Sequence, residues 1–320
     1  MLINTRLIVI LSILSKIIVS IGIVGSLLNL VIYRSKKFRR NSCGIYLLFS
    51  TIFDLSYLLI SGLTNSLQID SLIYCKFRSY FVIICPSFST IYLMFSTIDR
   101  CLSTSKSNRI RKLANSKTSW RICLFVLIFH LLSNVHILLF YDYKRDSSLT
   151  LNVYRCVPRS RIYQMLLSGL MFVLSPLIFY SVMLINTIII RKRIRNQTNE
   201  STMLTTTTRQ RKKSARNDQL NKQLMLIIVF QIVFGIVFTL FRCGFLISTF
   251  IRRELGQSMF NSDLDQCFDH LTLFMYYLNF SKSFPINICT SSFFRKIFFQ
   301  QIDLILFRNR SKVTRPSSTS

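Results

Sequence analysis

Residues 75 to 101 read CKFRSYFVIICPSFSTIYLMFSTIDRC. The stretch is apolar through its middle, opens on Cys75 and closes on Asp99-Arg100-Cys101. From Cys75 to Arg100 a helix rises ~37 Å, enough to cross a hydrocarbon core of ~30 Å. One such segment predicts a membrane helix with two chemically distinct ends. Six further apolar stretches flank it, which gives the spans Leu7–Tyr33, Gly44–Leu63, Ser79–Cys101, Arg121–Tyr141, Tyr163–Ile190, Gln223–Ile251 and Phe268–Ser291. The expected fold is an all-α, integral membrane bundle of seven transmembrane helices.

Composition supports a membrane class: 51% of residues are hydrophobic, 28 are Phe, and mean hydropathy is +0.42. A net charge of +29 would suggest nucleic acid in a soluble chain. Its distribution argues against that partner. The segments Arg34–Asn41, Arg100–Arg121, Arg191–Lys222 and Arg295–Ser320 hold 5, 7, 10 and 6 Lys or Arg. The alternate segments Met1–Arg6, Thr64–Tyr74, Asp142–Arg161 and Arg252–Gln266 hold 1, 0, 5 and 2. Basic residues in short loops stay on the cytoplasmic side during insertion, so the first set is expected inside, the N-terminus outside and the C-terminus inside. The expected setting is a plasma membrane crossed several times, with the lipid bilayer as a partner and no nucleic acid.

The apolar run after the N-terminus is too long for the core of a signal peptide, so it reads as an uncleaved first helix. Glycosylation sequons begin at Asn196, Asn199, Asn279 and Asn309, none in an expected outer loop. Nine cysteines show no metal-type spacing. Cys75 and Cys156 fall on the expected outer side, where oxidation can occur, and a bridge between them would pin the longest outer loop over the bundle. Cys267 lies near the same surface without an evident partner. The other six read as small buried apolar groups.

Polar residues inside the bilayer are costly and therefore informative. Asp54, Asn29 and Ser89 lie at comparable depth in the second, first and third spans. Converging, they would bind a small cation and water; alternatively they are a hydrogen-bonded cluster that joins helices. Asp99 and Arg100 sit at the membrane–cytosol boundary, where Arg100 either pairs with Asp99 or turns to a partner.

These residues, in order and at these depths, resemble the rhodopsin-like (class A) family of G-protein-coupled receptors along essentially the whole chain. The resemblance is carried by Gly25-x-x-x-Asn29, by Tyr46-Leu47-Leu48-x-Ser50-x-x-x-Asp54-Leu55, by Cys75, by Asp99-Arg100 with Cys101 in place of the motif's Tyr, by Trp120, Pro176 and Pro285, and by Phe294-Arg295-Lys296. Among members it looks closest to invertebrate neuropeptide receptors of the FMRFamide-like group, or to orphan chemosensory receptors. The resemblance implies a disulfide at Cys75, a G-protein contact and switch at Asp99 and Arg100, an allosteric sodium ion at Asn29, Asp54 and Ser89, and a ligand site at the outer end. It further implies a heterotrimeric G protein, arrestin and a receptor kinase as partners. A receptor of this type performs no covalent chemistry.

The chain departs from the family pattern in its last three spans. Phe241 stands where the sixth-helix Pro belongs, followed by Arg242; Phe284-Pro285-Ile286-Asn287-Ile288 lacks the motif's Asn and Tyr. Leu184 takes the place of the fifth-helix Tyr, and Asn221 that of the acid that clasps the third-helix Arg. Val82 occupies the position of the amine-binding Asp, which argues against a biogenic amine. Lys282 lies a turn from the retinal-bearing Lys of opsins, but Arg78 stands at the counterion position, which disfavours a protonated Schiff base.

Expected pocket residues are Val82, Arg242 and Tyr276, with Tyr154 and Tyr277 as further aromatic surface. Arg242 would receive a peptide carboxylate or carbonyl, or else pair with Asp269 or Glu254. The loop Asp142–Arg161 nets +3 and Arg252–Asp269 nets −2, a mixed rim suited to a peptide. On the inside, Thr198, Ser201, Thr202 and Thr205–Thr208 precede Arg211-Lys212-Lys213, where phosphorylation would set negative charge beside positive. Domain boundaries are expected at 1–294 for the bundle, 295–307 for an amphipathic helix on the inner leaflet and 308–320 for a disordered tail. A transporter or channel would show internal repeats and a path of intramembrane charges, and neither is evident. His130 and His136 share the fourth span with no carboxylate or Cys placed for metal binding or catalysis.

Overall fold

The computed structural model describes residues 2–39, 41–63, 71–105, 107–145, 154–203, 226–245, 247–248 and 263–313. It is a bundle of membrane-length helices, joined at one end by a β-hairpin and at the other by a surface helix. The first span is α1 (Leu2–Tyr33), followed by a single turn, α2 (Lys36–Arg39). The second is α3 (Ser42–Tyr57), continued by a π-helical turn, Leu58–Leu63. The third is α4 (Leu72–Ser103), which starts two turns before its expected boundary. A short α5 (Asn108–Leu113) leads to the fourth span, α6 (Ser116–Ser133) and α7 (His136–Phe140), interrupted at Asn134, whose amide donates to the His130 carbonyl at 2.8 Å. α8 (Arg161–Ser168), a π turn (Gly169–Leu174) and α9 (Ser175–Met203) form the fifth; α10 (Leu226–Phe245) is the sixth.

Six helices among the described residues are long and apolar enough to cross a membrane by composition alone. The seventh crossing is α11 (Asp263–Ser281) and α12 (Ser283–Thr290), where Asp269, His270, Asn279, Lys282 and Asn287 dilute the apolar run. Its polar residues face other helices, which is why hydropathy understates it. α13 (Ser292–Val313) then lies against the bundle.

Burial is the reverse of a soluble protein's. Phe125 and Leu132 of the fourth span are each 68% exposed, whereas Asn29, Ser96 and Thr97 are fully buried. Apolar side chains point to lipid and polar ones to neighbouring helices, as expected where no water is available to satisfy a polar group. Three apolar clusters set the spacing. Ile84, Phe88 and Tyr92 of α4 pack on Ile45 and Tyr46 of α3 and on Cys123 of α6. Val19, Tyr57, Leu58, Tyr277 and Phe280 join the first, second and seventh spans. Tyr180 and Met183 of α9 meet Ile228 and Ile232 of α10. There the helices approach closely: a β-carbon on Gly235 would lie 2.6 Å from the Tyr180 hydroxyl.

Two of the irregular turns lie beside a proline. Pro176 has no N–H to give, and the wide turn Gly169–Leu174 just before it absorbs the missing bond. Pro285 likewise follows the break at Lys282, the one residue between α11 and α12.

Two expectations need correction. The loop Asp142–Arg161 contains strands, β1 (Tyr141–Arg145) and β2 (Tyr154–Pro158), paired antiparallel with Tyr143 opposite Cys156. Tyr141 and Tyr143 in the first strand and Tyr154 and Val157 in the second favour extended backbone. The surface helix runs Ser292–Val313, beyond the expected 295–307, and takes in residues 308–313 assigned to the tail. No Gly or Pro interrupts the sequence before Pro316. Phe294 and Ile297 of this helix are buried against Tyr33 and Phe38, and Phe298 stacks edge-on to Phe284. The expectations for Asn221, Glu254, Thr205–Thr208, Arg211-Lys212-Lys213 and residues 314–320 lie outside the described residues, as do the side chains of Tyr154, Thr198, Ser201 and Thr202.

Candidate functional sites along the third span

At its Arg100 end, α4 is held by the start of α3. Ser42 Oγ donates to Asp99 Oδ2 at 2.8 Å, and Arg100 Nη2 donates to Asn41 Oδ1 at 2.5 Å. Cys43 Sγ and Ser96 Oγ lie 3.0 Å apart just above. Asn41 is the N-cap residue of α3, a position whose side chain usually accepts from the helix's own first turn. It makes no such bond, because its carbonyl oxygen is given to Arg100. Asp99 and Arg100 are both buried, and no ion pair joins them. Arg100 Nε is also without a hydrogen-bond partner. Hydrogen bonds to charged groups contribute about 1.5–3 kcal/mol each, so α3 stabilises the buried pair substantially. Arg193 of α9 reaches across to the Cys101 carbonyl at 2.7 Å.

Halfway along, Asp54 is buried. Ser89 Oγ donates to its Oδ1 at 2.5 Å, Ser283 Oγ to its Oδ2 at 3.4 Å, and Ser50 Oγ lies 3.0 Å from Ser89 Oγ. Asp54 and Ser89 therefore meet as expected, but Asn29 does not join them. Asn287 Nδ2 donates to Asn29 Oδ1 at 3.3 Å and to the Tyr33 hydroxyl at 2.6 Å, forming a separate contact between the first and seventh spans. Lys282 Nζ donates to Asn279 Oδ1.

At the other end, Cys75 and Cys156 form a disulfide with Cα atoms 5.7 Å apart, which ties β2 to α4. Tyr141, at the start of β1, is half-buried there. Below the hairpin, α4, α9, α10 and α11 enclose a cavity lined by Ser87, Thr90, Pro176, Tyr180, Thr239, Arg242, Tyr276 and Asn279, among others. Its free space is about 30 Å³, enough for one or two waters. Among its described lining residues Arg242 is the only charged one. The guanidinium donates from Nη1 to Asp269 Oδ1 at 2.9 Å and to Thr272 Oγ1 at 2.7 Å, and lies over Phe245. Of the two partners expected for Arg242, it meets Asp269; Glu254 lies outside the described residues.

Tyr276 lines the cavity, but Val82 does not: it turns toward Tyr57, Cys85 and Phe280. Of the described α4 residues, Ile83, Pro86, Ser87 and Thr90 line the cavity. Tyr277 is buried away from it, its hydroxyl 3.0 Å from Ser61 Oγ. His130 packs edge-on to Phe88, and His136 sits 2.9 Å from the Ser133 carbonyl. No group of three potential metal ligands occurs among the described residues.

Sequence reasoning missed three residues. Tyr180 joins the fifth span to the sixth and seventh through Thr239 (3.4 Å) and Asn279. Asn41 ends an expected basic segment and Asn287 stands in the altered motif beside Pro285, and neither was assigned a role. The available signal was the same for Tyr180 and Asn287: a polar group deep in an apolar helix needs a partner.

Seven crossings, a disulfide-tethered hairpin over a cavity and a buried Arg at the opposite end form a coherent set. No curated protein matches the chain. The family model of the 7 transmembrane receptor (rhodopsin family) matches residues 25–284, from the turn before Asn29 to the residue before Pro285. The chain belongs to the rhodopsin family of seven-transmembrane receptors.

Proposed function

We propose that this receptor sits in the plasma membrane with the disulfide end outside and the Arg100 end in the cytosol, binds an extracellular peptide, and activates a heterotrimeric G protein. The observation that carries the ligand class is Arg242. Among the described lining residues it is the one charge and there is no carboxylate, so an amine would find no counter-ion there whereas a carboxylate or amide carbonyl would find donors. The small free volume supports a ligand that engages the rim and inserts one end, as a peptide does. The orientation rests on the basic segments at the Arg100 end. A ligand then acts only through its different affinity for the two states of the bundle.

A cell-surface signalling assay against a neuropeptide library, amidated FMRFamide-like members included, tests this reading. At least one peptide should evoke a response, and Arg242→Gln should weaken it by about tenfold or more, the equivalent of ~1.4 kcal/mol. A response confined to amines, or a peptide response untouched by Arg242→Gln, would contradict the assignment. Arrestin and receptor kinase belong to the same proposal as partners of the cytosolic face.

A further inference from the structure

The connection between the third and fourth spans carries cations that the bundle does not use. No Asp or Glu occurs between Asp99 and Asp142. Elsewhere at this end, Arg100 is held by Asn41, Arg193 by the Cys101 carbonyl and Arg295 by the carbonyls of Ile288 and Cys289. The side chains of Arg109, Lys112, Lys117 and Arg121 are exposed and meet no hydrogen-bond or ion-pair partner among the described residues. Arg111 meets only Asn108 of its own helix, at 2.6 Å. Two residues, Ala114 and Asn115, separate α5 from α6. Asn115 fixes that turn: its side chain accepts from the Lys117 backbone N–H at 3.4 Å and its carbonyl from Ser119 Oγ at 3.1 Å. The cations of both helices are thereby held in one patch.

The depth of the patch is read from α6. Lys117, Trp120, Arg121, Leu124, Phe125 and Ile128 recur every three or four residues and so share one face. Leu124, Phe125 and Ile128 are exposed, which marks that face as the one turned to lipid. Trp120 packs edge-on to Phe49 and is otherwise exposed, at the level where an aromatic side chain suits the border of hydrocarbon and head groups. Lys117 and Arg121 therefore stand at head-group depth and face lipid. α5 adds Ile110 and Leu113, exposed one turn apart beside Arg109, Arg111 and Lys112, a pairing of apolar and basic groups that fits a membrane surface and not a soluble anion. Phosphate oxygens take charge-assisted hydrogen bonds from Lys and Arg, and clusters of about 4–8 such residues beside a span suit multivalent anionic head groups. We propose that α5 and the start of α6 form a binding site for an inner-leaflet phospholipid with a multiply phosphorylated head group. The site rests on the cytosolic placing of the Arg100 end, and not on the ligand or the G protein. On α9, by contrast, Arg191, Lys192 and Arg195 share their helix with Glu200, which offsets part of their charge.

Native mass spectrometry of the purified full-length receptor in detergent, with phosphatidylinositol bisphosphate, phosphatidylserine or phosphatidylcholine added, tests it. The bisphosphate lipid should bind about tenfold or more tighter than the serine lipid, with phosphatidylcholine weakest. Lys112→Gln/Lys117→Gln/Arg121→Gln should weaken bisphosphate binding by about tenfold or more, whereas Arg191→Gln/Lys192→Gln/Arg195→Gln, which removes the same charge, should change it by less than about twofold. All six side chains are exposed, so both variants should unfold at the wild-type temperature. Equal losses in the two variants would reduce the effect to net positive charge, and no loss in the first would remove the site; either result overturns the proposal. So would a serine lipid held as tightly as the bisphosphate, or free inositol trisphosphate bound as tightly as the lipid. Binding in detergent does not depend on which way the receptor lies in a cell, so failure here would leave the proposed orientation standing.

Discussion

In the first four spans, buried polar residues satisfy one another through short neutral or singly charged bonds between neighbouring helices: Ser50 with Ser89, Ser89 with Asp54, Ser42 with Asp99, and the Tyr92 hydroxyl with the Cys123 carbonyl. In the last three, charge does more of the joining. Arg242 pairs with Asp269, the Lys282 ammonium donates to Asn279, and Tyr180 spans from α9 to α10. The family's motif residues stand mainly in the first group of spans and are replaced mainly in the second. The replacements come with new partners, so the altered half is rewired and not merely eroded. Specific pairs, not motif letters, hold a bundle whose lipid-facing surface contributes no hydrophobic drive.

The largest expected effect falls on the feature that joins the two halves at the cavity end. Cys75→Ser should cost about 2–5 kcal/mol, because the bridge closes a loop of 81 residues, and should appear as a large drop in unfolding temperature and in surface receptor. Second comes the close approach of α9 and α10. Gly235→Val should cost about 1–3 kcal/mol by driving a side chain into Tyr180, whereas Gly169→Ala, with open space around its β-position, should be nearly neutral. In the first half, Ser42→Ala should cost about 1–2 kcal/mol in the same measurement by removing a donor from buried Asp99. The smallest effect is expected for the charged pair of the second half. A double-mutant cycle on Arg242 and Asp269 should give a coupling of about 0.2–1 kcal/mol, because Asp269 is 36% exposed and solvent screens the pair. A coupling at Arg242–Asp269 larger than the Ser42 effect would reverse the ranking and show that the rewired half is the more tightly held.

Much of this was legible in the chain. The length and spacing of apolar runs mark the crossings, since a bilayer leaves the backbone few alternatives to a helix. Cys75, Asp99 and Arg100 could be placed at opposite ends of one helix by counting residues. The Arg242–Asp269 pair was one of two alternatives that the composition left open. Which side chains meet across helices was less readable. Asn41 lies in a basic loop that resembles a solvated surface, and its use depends on α3 starting beside the end of α4, a contact 59 residues away. Val82 and Ser89 lie on one helix, yet only the rotation of α4 decides that Ser89 meets Asp54 while Val82 turns from the cavity. The hairpin could not be inferred from helix periodicity at all.

On the proposed reading, Arg100 acts on a G protein, and its hydrogen bond to Asn41 Oδ1 holds it back until a ligand binds. Nucleotide exchange on purified heterotrimeric G proteins, by receptor in nanodiscs without added ligand, tests this most directly. Asn41→Ala should raise the exchange rate several-fold, and adding Arg100→Ala should return it to the rate seen without receptor. Exchange that persists unchanged in the Asn41→Ala/Arg100→Ala double variant would contradict the account.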